Sequence, residues 1–202
     1  MADRENIFKE IIATETAYLD SLKALNDTYI EPMRSKKLVQ LKRDMTEIVK
    51  NLGVMMNFNS VLLTQLQKTD KDHVGEVFLK IVPFLKTYTT YFNHYEGATA
   101  QIRDEKKNNA KFESWLTQTE AAAKKDKKQG LLSYLIMPVQ RIPRYALLLK
   151  ELVGKTPSDH SDYANLTKAL NSTKEVADFL NEQFHVQDAS SKLLLLQGNL
   201  MH

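Results

Sequence analysis

The stretch from Leu131 to Leu152, LLSYLIMPVQRIPRYALLLKEL, decides how this chain is read. Leu135, Val139, Ile142, Tyr145, Leu149 and Leu152 advance by three or four residues, the spacing of one apolar face on an α-helix. Gln140, Arg144, Leu147 and Glu151 fall along another edge, with Arg141 and Lys150 beside them. Pro138 and Pro143 interrupt the run, and a proline inside a helix removes a backbone hydrogen bond. A backbone of this kind has to be held by its neighbours, which simple packing of a regular helix does not require.

Punctuation outward from this stretch divides the rest of the chain into further helices. Gly154 is a natural residue just past a helix end. A last helix is expected from Ser158 or Asp159, both good capping residues, to at least Phe184. On the other side, Lys124 to Gly130 reads as a charged loop or fraying helix end, and Lys111 to Lys124 as a helix around Phe112, Trp115 and Leu116. Asp104 to Asn109 marks a turn. Val74 to Arg103 contains Pro83 and is therefore two helices or one kinked helix, rich in aromatics from Phe84 to Tyr95. Asp44 to Gln67 carries Ile48, Leu52, Met55, Met56, Leu62, Leu63 and Leu66 at helical spacing. The first stripe, Ile7 to Ile30, is expected to stop at Pro32.

Composition agrees with that division. The 202 residues include only 6 Gly and 5 Pro, about half the usual share of roughly 12%. Strand-rich domains use these residues in their many turns, so the expected class is all-α, a bundle of about six helices. An apolar content of 43% is enough to fill one sizeable core, and a single domain is expected over 1–202, with its core at about 5–185 and a C-terminal extension at 186–202. The four leucines Leu193–Leu196 suit a solvated tail poorly. They are read as the approach to a further domain of a longer protein, in preference to an extension of the last helix.

Several chemistries are excluded. Zero cysteines removes disulfides, thiolate zinc sites and a cysteine nucleophile, and together with the absence of a leader or an apolar span leads to a cytoplasmic expectation. The net charge of +3 is too small for a dedicated nucleic-acid binder but leaves room for acidic protein partners or an anionic surface. Gly154-Lys155-Thr156 resembles the end of a phosphate-binding loop, yet the position five residues before Gly154 is Leu149, where that loop needs glycine. The five histidines never recur at the spacing that sets two metal ligands on one helix face. No Gly-x-Ser-x-Gly turn is present, and Asp159 to Asp162 reads as helix capping. Bond-making catalysis, metal and cofactor are therefore not expected.

One charge stands out. Phe8, Ile11, Glu15, Tyr18, Leu22, Leu25 and Tyr29 form a continuous helical face, and Glu15 is its one carboxylate. A buried unpaired charge costs several kcal/mol, so Glu15 either meets a buried cation or lies where the face leaves the core and becomes a binding surface.

The run LIMPVQRIPRYALLLKEL at 135–152 resembles the signature of the Dbl homology domain, the exchange-factor module for Rho-family GTPases. IIATETAYLDSL at 11–22 is similar to that family's first region, and VFLKIVPFLKTY at 77–88, continuing to Tyr95 and Glu96, to its second. The three blocks stand in the family's order and cover about residues 5–185. The resemblance implies an elongated, flattened helical bundle that promotes GDP release from a Rho, Rac or Cdc type GTPase by binding alone, with membrane proximity supplied by a neighbouring domain. It implies that Glu15 contacts switch I, and that Gln140, Arg144, Leu147 and Lys150, with Asn181 on the last helix, face switch II and nearby surface. Many members carry lysine where this chain has Arg144, a cation of different donor geometry. By the same resemblance Lys124, Lys125, Lys127 and Lys128, just before the fifth long helix, lie near where family members read GTPase identity, against the plainer reading of a solvated helix end. A Glu15→Ala change is expected to leave the fold intact and nearly to abolish exchange. The competing class, a helical scaffold or membrane-surface module without exchange activity, suits long helices and mild basicity but leaves Glu15 and the two prolines unexplained.

Overall fold

The structure is a computed structural model that describes residues 2–198, with side chains described over 3–183. Nine α-helices and no strand occur among the described residues: α1 (Ala2–Leu25), α2 (Glu31–Ser35), α3 (Arg43–Lys68), α4 (Val74–Ile81), α5 (Leu85–Asn108), α6 (Ala110–Lys125), α7 (Leu131–Leu135), α8 (Met137–Gly154) and α9 (Tyr163–Gly198). They group into six long runs, because α1 with α2, α4 with α5, and α7 with α8 are each nearly continuous. At 1.5 Å rise per residue, the 36 residues of α9 span roughly 54 Å, which makes the bundle long in one direction.

Pro32 does not end the first helix as expected. A five-residue π-helical turn, Asn26–Ile30, widens the helix just ahead of it, with the Glu31 N–H bonded to the Asn26 carbonyl. Pro32 then sits in the first turn of α2, where a missing N–H is tolerated. The same turn buries Tyr29 and Ile30, and the Tyr29 hydroxyl donates to the Gln129 carbonyl at 2.8 Å, pinning the loop that follows α6. Pro83 lies in a 3-10 turn, Val82–Phe84, between α4 and α5. Pro138 falls in the first turn of α8, after a break at Ile136, and Pro143 lies inside that helix.

Packing joins α3 along α5 and α8 along α9, with α1 bridging α3 and α8 and with α4 laid on α9. The apolar faces read from the sequence meet in one continuous core containing Ile11, Leu22, Leu52, Met55, Leu62, Tyr145 and Leu149. The expected start of the last helix near Ser158 moves to Tyr163. The Asp162 carboxylate instead accepts the Gly75 N–H at 2.8 Å, so it caps α4 across the chain. Arg4, 5% exposed, closes this end of the molecule, donating from Nε to Thr156 Oγ1 at 3.0 Å and from Nη1 to Asp72 Oδ1 at 2.6 Å. Thr156, the residue that made Gly154-Lys155-Thr156 look like a phosphate loop, is thus buried in a structural contact. The backbone of α9 passes 185 without a break, while the packing of the Leu193–Leu196 side chains lies outside the described residues.

Candidate functional site

Glu15 meets a buried cation. It is fully buried on α1, and its Oε2 accepts from Arg141 Nη2 at 2.6 Å and from the Tyr145 hydroxyl at 2.6 Å, both on α8. Arg141 is 6% exposed, so the sequence expectation that it lies beside the outer edge of its helix is corrected. Its guanidinium stacks over the rings of Tyr145 and Tyr18, 4.4 and 5.0 Å from their centroids. Beneath the pair, Asn59 of α3 lies 3.0 Å from the Tyr145 hydroxyl through Oδ1 and donates from Nδ2 to Tyr88 of α5 at 3.1 Å. Four helices therefore converge on one carboxylate. Burial pushes the Glu15 carboxyl up from its ordinary range, while the Arg141 charge and the hydrogen bonds from Tyr145 and Arg141 pull it back. Burial also keeps Tyr18 and Tyr145 neutral well beyond the usual phenol range. Glu15 Oε1 and Arg141 Nε have no hydrogen-bond partner.

This arrangement corrects one expectation about Glu15. Removing the carboxylate would strand the Arg141 guanidinium in the core, a loss of about 3–5 kcal/mol for a broken buried pair. A Glu15→Ala variant therefore does not leave the fold untouched, and Glu15→Gln is the better probe of function.

Above the pair the surface is concave. One groove, of about 320 Å³, runs between α1 and α8 and is lined by Ala17, Tyr18 and Ser21 on one side and Met137, Gln140, Arg141 and Arg144 on the other. A second, of about 250 Å³, runs between α8 and α9 and includes Gln140, Pro143, Leu180 and Asn181. Gln140 lines both, so the exposed edge of α8 is the ridge between two adjoining concavities. The prolines place this edge: Pro138 restarts the helix after Ile136, and Pro143 faces solvent along the second groove.

Of the residues singled out in the sequence, Gln140, Arg144 and Asn181 are brought together on these grooves, and Leu147, 47% exposed, continues the Arg144 edge one turn further, with exposed Lys150 beyond it. Glu15 lies beneath the surface. Lys124, Lys125, Lys127 and Lys128 are exposed at the end of α6 and line neither groove. Lys128 instead lines a separate hollow of about 350 Å³ with Lys36, Trp115 and Asp126.

Sequence reasoning missed two participants. Arg141 could have been placed in the core, because it stands four residues before Tyr145 and so shares its helical face. Glu10 carried no such signal. It pairs with Arg144, which lines the first groove, from 134 residues away in the chain, and both side chains are nearly half exposed.

Fold and grooves together define an all-α module with two joined concave surfaces, the first of them over a buried charge pair. The RhoGEF domain family matches residues 7–181, and the chain belongs to that family. It is 32% identical over 206 residues to "Guanine exchange factor for Rac 30" of Dictyostelium discoideum, covering 98% of this chain and 12% of that protein. It is 30% identical over 233 residues to "Rac guanine nucleotide exchange factor B" of the same organism, covering 98% of this chain and 19% of that one. The chain thus spans under one fifth of the length of these relatives. Among solved structures, the DH/PH domains of p115-RhoGEF superpose with a TM-score of 0.81 at 19% identity, over 90% of this chain and 55% of that one. A complex of PDZ-RhoGEF DH/PH domains with activated RhoA gives 0.80 at 17% identity, over 90% and 53%. The fold is that of these domains.

Proposed function

We propose that this chain is a guanine nucleotide exchange module that speeds GDP release from a Rho-family small GTPase by stabilising its nucleotide-free state. The observation that carries the reading is the pair of grooves joined at Gln140, the first of them floored in part by Arg141 of the buried Glu15–Arg141 pair, in a chain of the RhoGEF family. No covalent step is required of it. A thousandfold acceleration of release corresponds to about 4 kcal/mol of preference for the transition state over the loaded GTPase. Two or three charge-assisted hydrogen bonds of about 1.5–3 kcal/mol supply that scale. In this reading the donors and acceptors are Glu15, buried beneath the first groove and reached by switch I only as the groove floor opens, and Gln140, Arg144 and Asn181 along the ridge, acting on switch II. Leu147 and Lys150 extend the contact.

Two readings of the partner have separate support. The relatives at 30–32% identity are named for Rac. The exposed lysines Lys124, Lys125, Lys127 and Lys128 suit a GTPase with acidic side chains on its facing strands, as in Rho-like members. Release of a fluorescent nucleotide from purified Rac, Rho and Cdc type GTPases, with the chain and with its four-lysine-to-alanine variant, tests both. Acceleration of at least one GTPase is expected. If none responds while the chain binds anionic liposomes in a salt-sensitive way, the scaffold or membrane-surface class replaces the exchange reading. If preference is unchanged without the lysines, they do not read the partner.

A further inference from the structure

The buried carboxylate is held on one side only. Oε2 of Glu15 takes hydrogen bonds from both Arg141 and Tyr145, whereas Oε1 takes none, although the whole side chain is buried. A buried ionised oxygen without a donor is costly to leave unmatched. The helices around it could have matched it, since Arg141 keeps a spare, unpartnered Nε–H. Arg141 also forms part of the floor of the first groove, so the pair sits directly under the surface where a partner would lie.

We infer that Arg141 and Tyr145 are positioning residues: they grip one oxygen of Glu15 so that the other, buried and unmatched in the free chain, is left for a donor from the GTPase that reaches it when docking displaces the Tyr18 and Arg141 side chains of the groove floor. This rests on the reading of Glu15 as a GTPase contact. The grip does two things. It fixes the carboxylate's rotamer from α8, so that α1 alone does not set its direction. It also keeps the group ionised, because a protonated acid would present a donor where the partner needs an acceptor. The groups that face Glu15 are Arg141 and Tyr145 from α8, Tyr18 from α1, and Tyr88 with Asn59 behind it from α5 and α3; the exposed Glu10–Arg144 pair lies one turn along α8. The tyrosines stay neutral throughout the working range, so Arg141 is the one charge in this inner set opposing the desolvation of Glu15.

The sign of the pH effect follows. Burial raises the Glu15 carboxyl and the Tyr145 hydroxyl lowers it, so Tyr145→Phe moves it further up. Activity that needs the carboxylate rises with pH through that value, and the variant's rising limb moves to higher pH. A displacement of one pH unit reduces the ionised fraction about tenfold on the acidic side.

The test is the exchange rate of the full chain on its responsive GTPase from pH 5.5 to 8.5, corrected at each pH for intrinsic release, for the wild type, Tyr145→Phe, Arg141→Lys and Glu15→Gln. The expected result is a limb shifted upward in Tyr145→Phe and Arg141→Lys, with the Tyr145→Phe deficit shrinking as pH rises. A loss of equal size at every pH, accompanied by a lower melting temperature, would show a structural role alone and overturn the inference. An unshifted limb with normal rates overturns it as well. If Glu15→Gln exchanges normally, the contact reading itself fails. If Glu15→Gln is inactive while the limb stays in place in both α8 variants, only the positioning role fails.

Discussion

Glu15 shows how a single residue type can be legible and its placement not. Its carboxylate stands out in an apolar stripe, and the stripe alone allows either a buried cation or an exposed rim. Arg141 decides the matter from 126 residues away, and no local pattern on α1 names it. The pair is not a source of stability in itself, since an isosteric apolar replacement of a buried ion pair is often neutral. Glu15→Ala is expected to lower the unfolding free energy by about 3–5 kcal/mol, measured by urea titration at pH 7, because it leaves Arg141 charged and alone. The double change Glu15→Leu with Arg141→Met is expected to recover most of that loss and to have no exchange activity. A double variant no more stable than Glu15→Ala would show that the pair contributes through its hydrogen-bond network instead.

At the scale of elements, close approach matters more than helix propensity. Gly75 opens α4 where it lies on α9, and a Cβ built there would stand 2.4 Å from the Leu166 N and 2.7 Å from Asp162 Oδ1. Both neighbours are fixed: one is backbone, and the other holds the cap of α4. Gly75→Ala is therefore expected to destabilise by about 1–3 kcal/mol, the range for inserting a methyl into packed structure, despite alanine's better helix propensity. A denaturation midpoint equal to or above the wild type would contradict that packing. The helices themselves were readable from spacing, because the face that each must bury is written in its own residues. Their interruptions were less so. The π-helical turn that carries the chain past Pro32, and the use of the Asp162 carboxylate to cap α4, are settled by neighbours that a single stretch does not contain.

Across the whole molecule, the two grooves exist because α8 is flanked by α1 on one side and α9 on the other. Arg144 is the exposed charge at the centre of this face, tied in the free chain to Glu10. Such a surface pair adds little stability, so Arg144→Glu is expected to melt close to the wild type while failing to retain nucleotide-free GTPase in a pull-down. Retained capture would remove Arg144 from the interface. Periodicity and motif are properties of neighbouring residues, so the all-α class, the helical faces, the family resemblance and the choice of Gln140, Arg144 and Asn181 as candidates could be read along the chain. That Glu15 lies under the groove, that Arg141 belongs to the core and that Glu10 holds Arg144 emerges from packing alone. Those contacts join positions more than a hundred residues apart, and burial is a property of the packed whole.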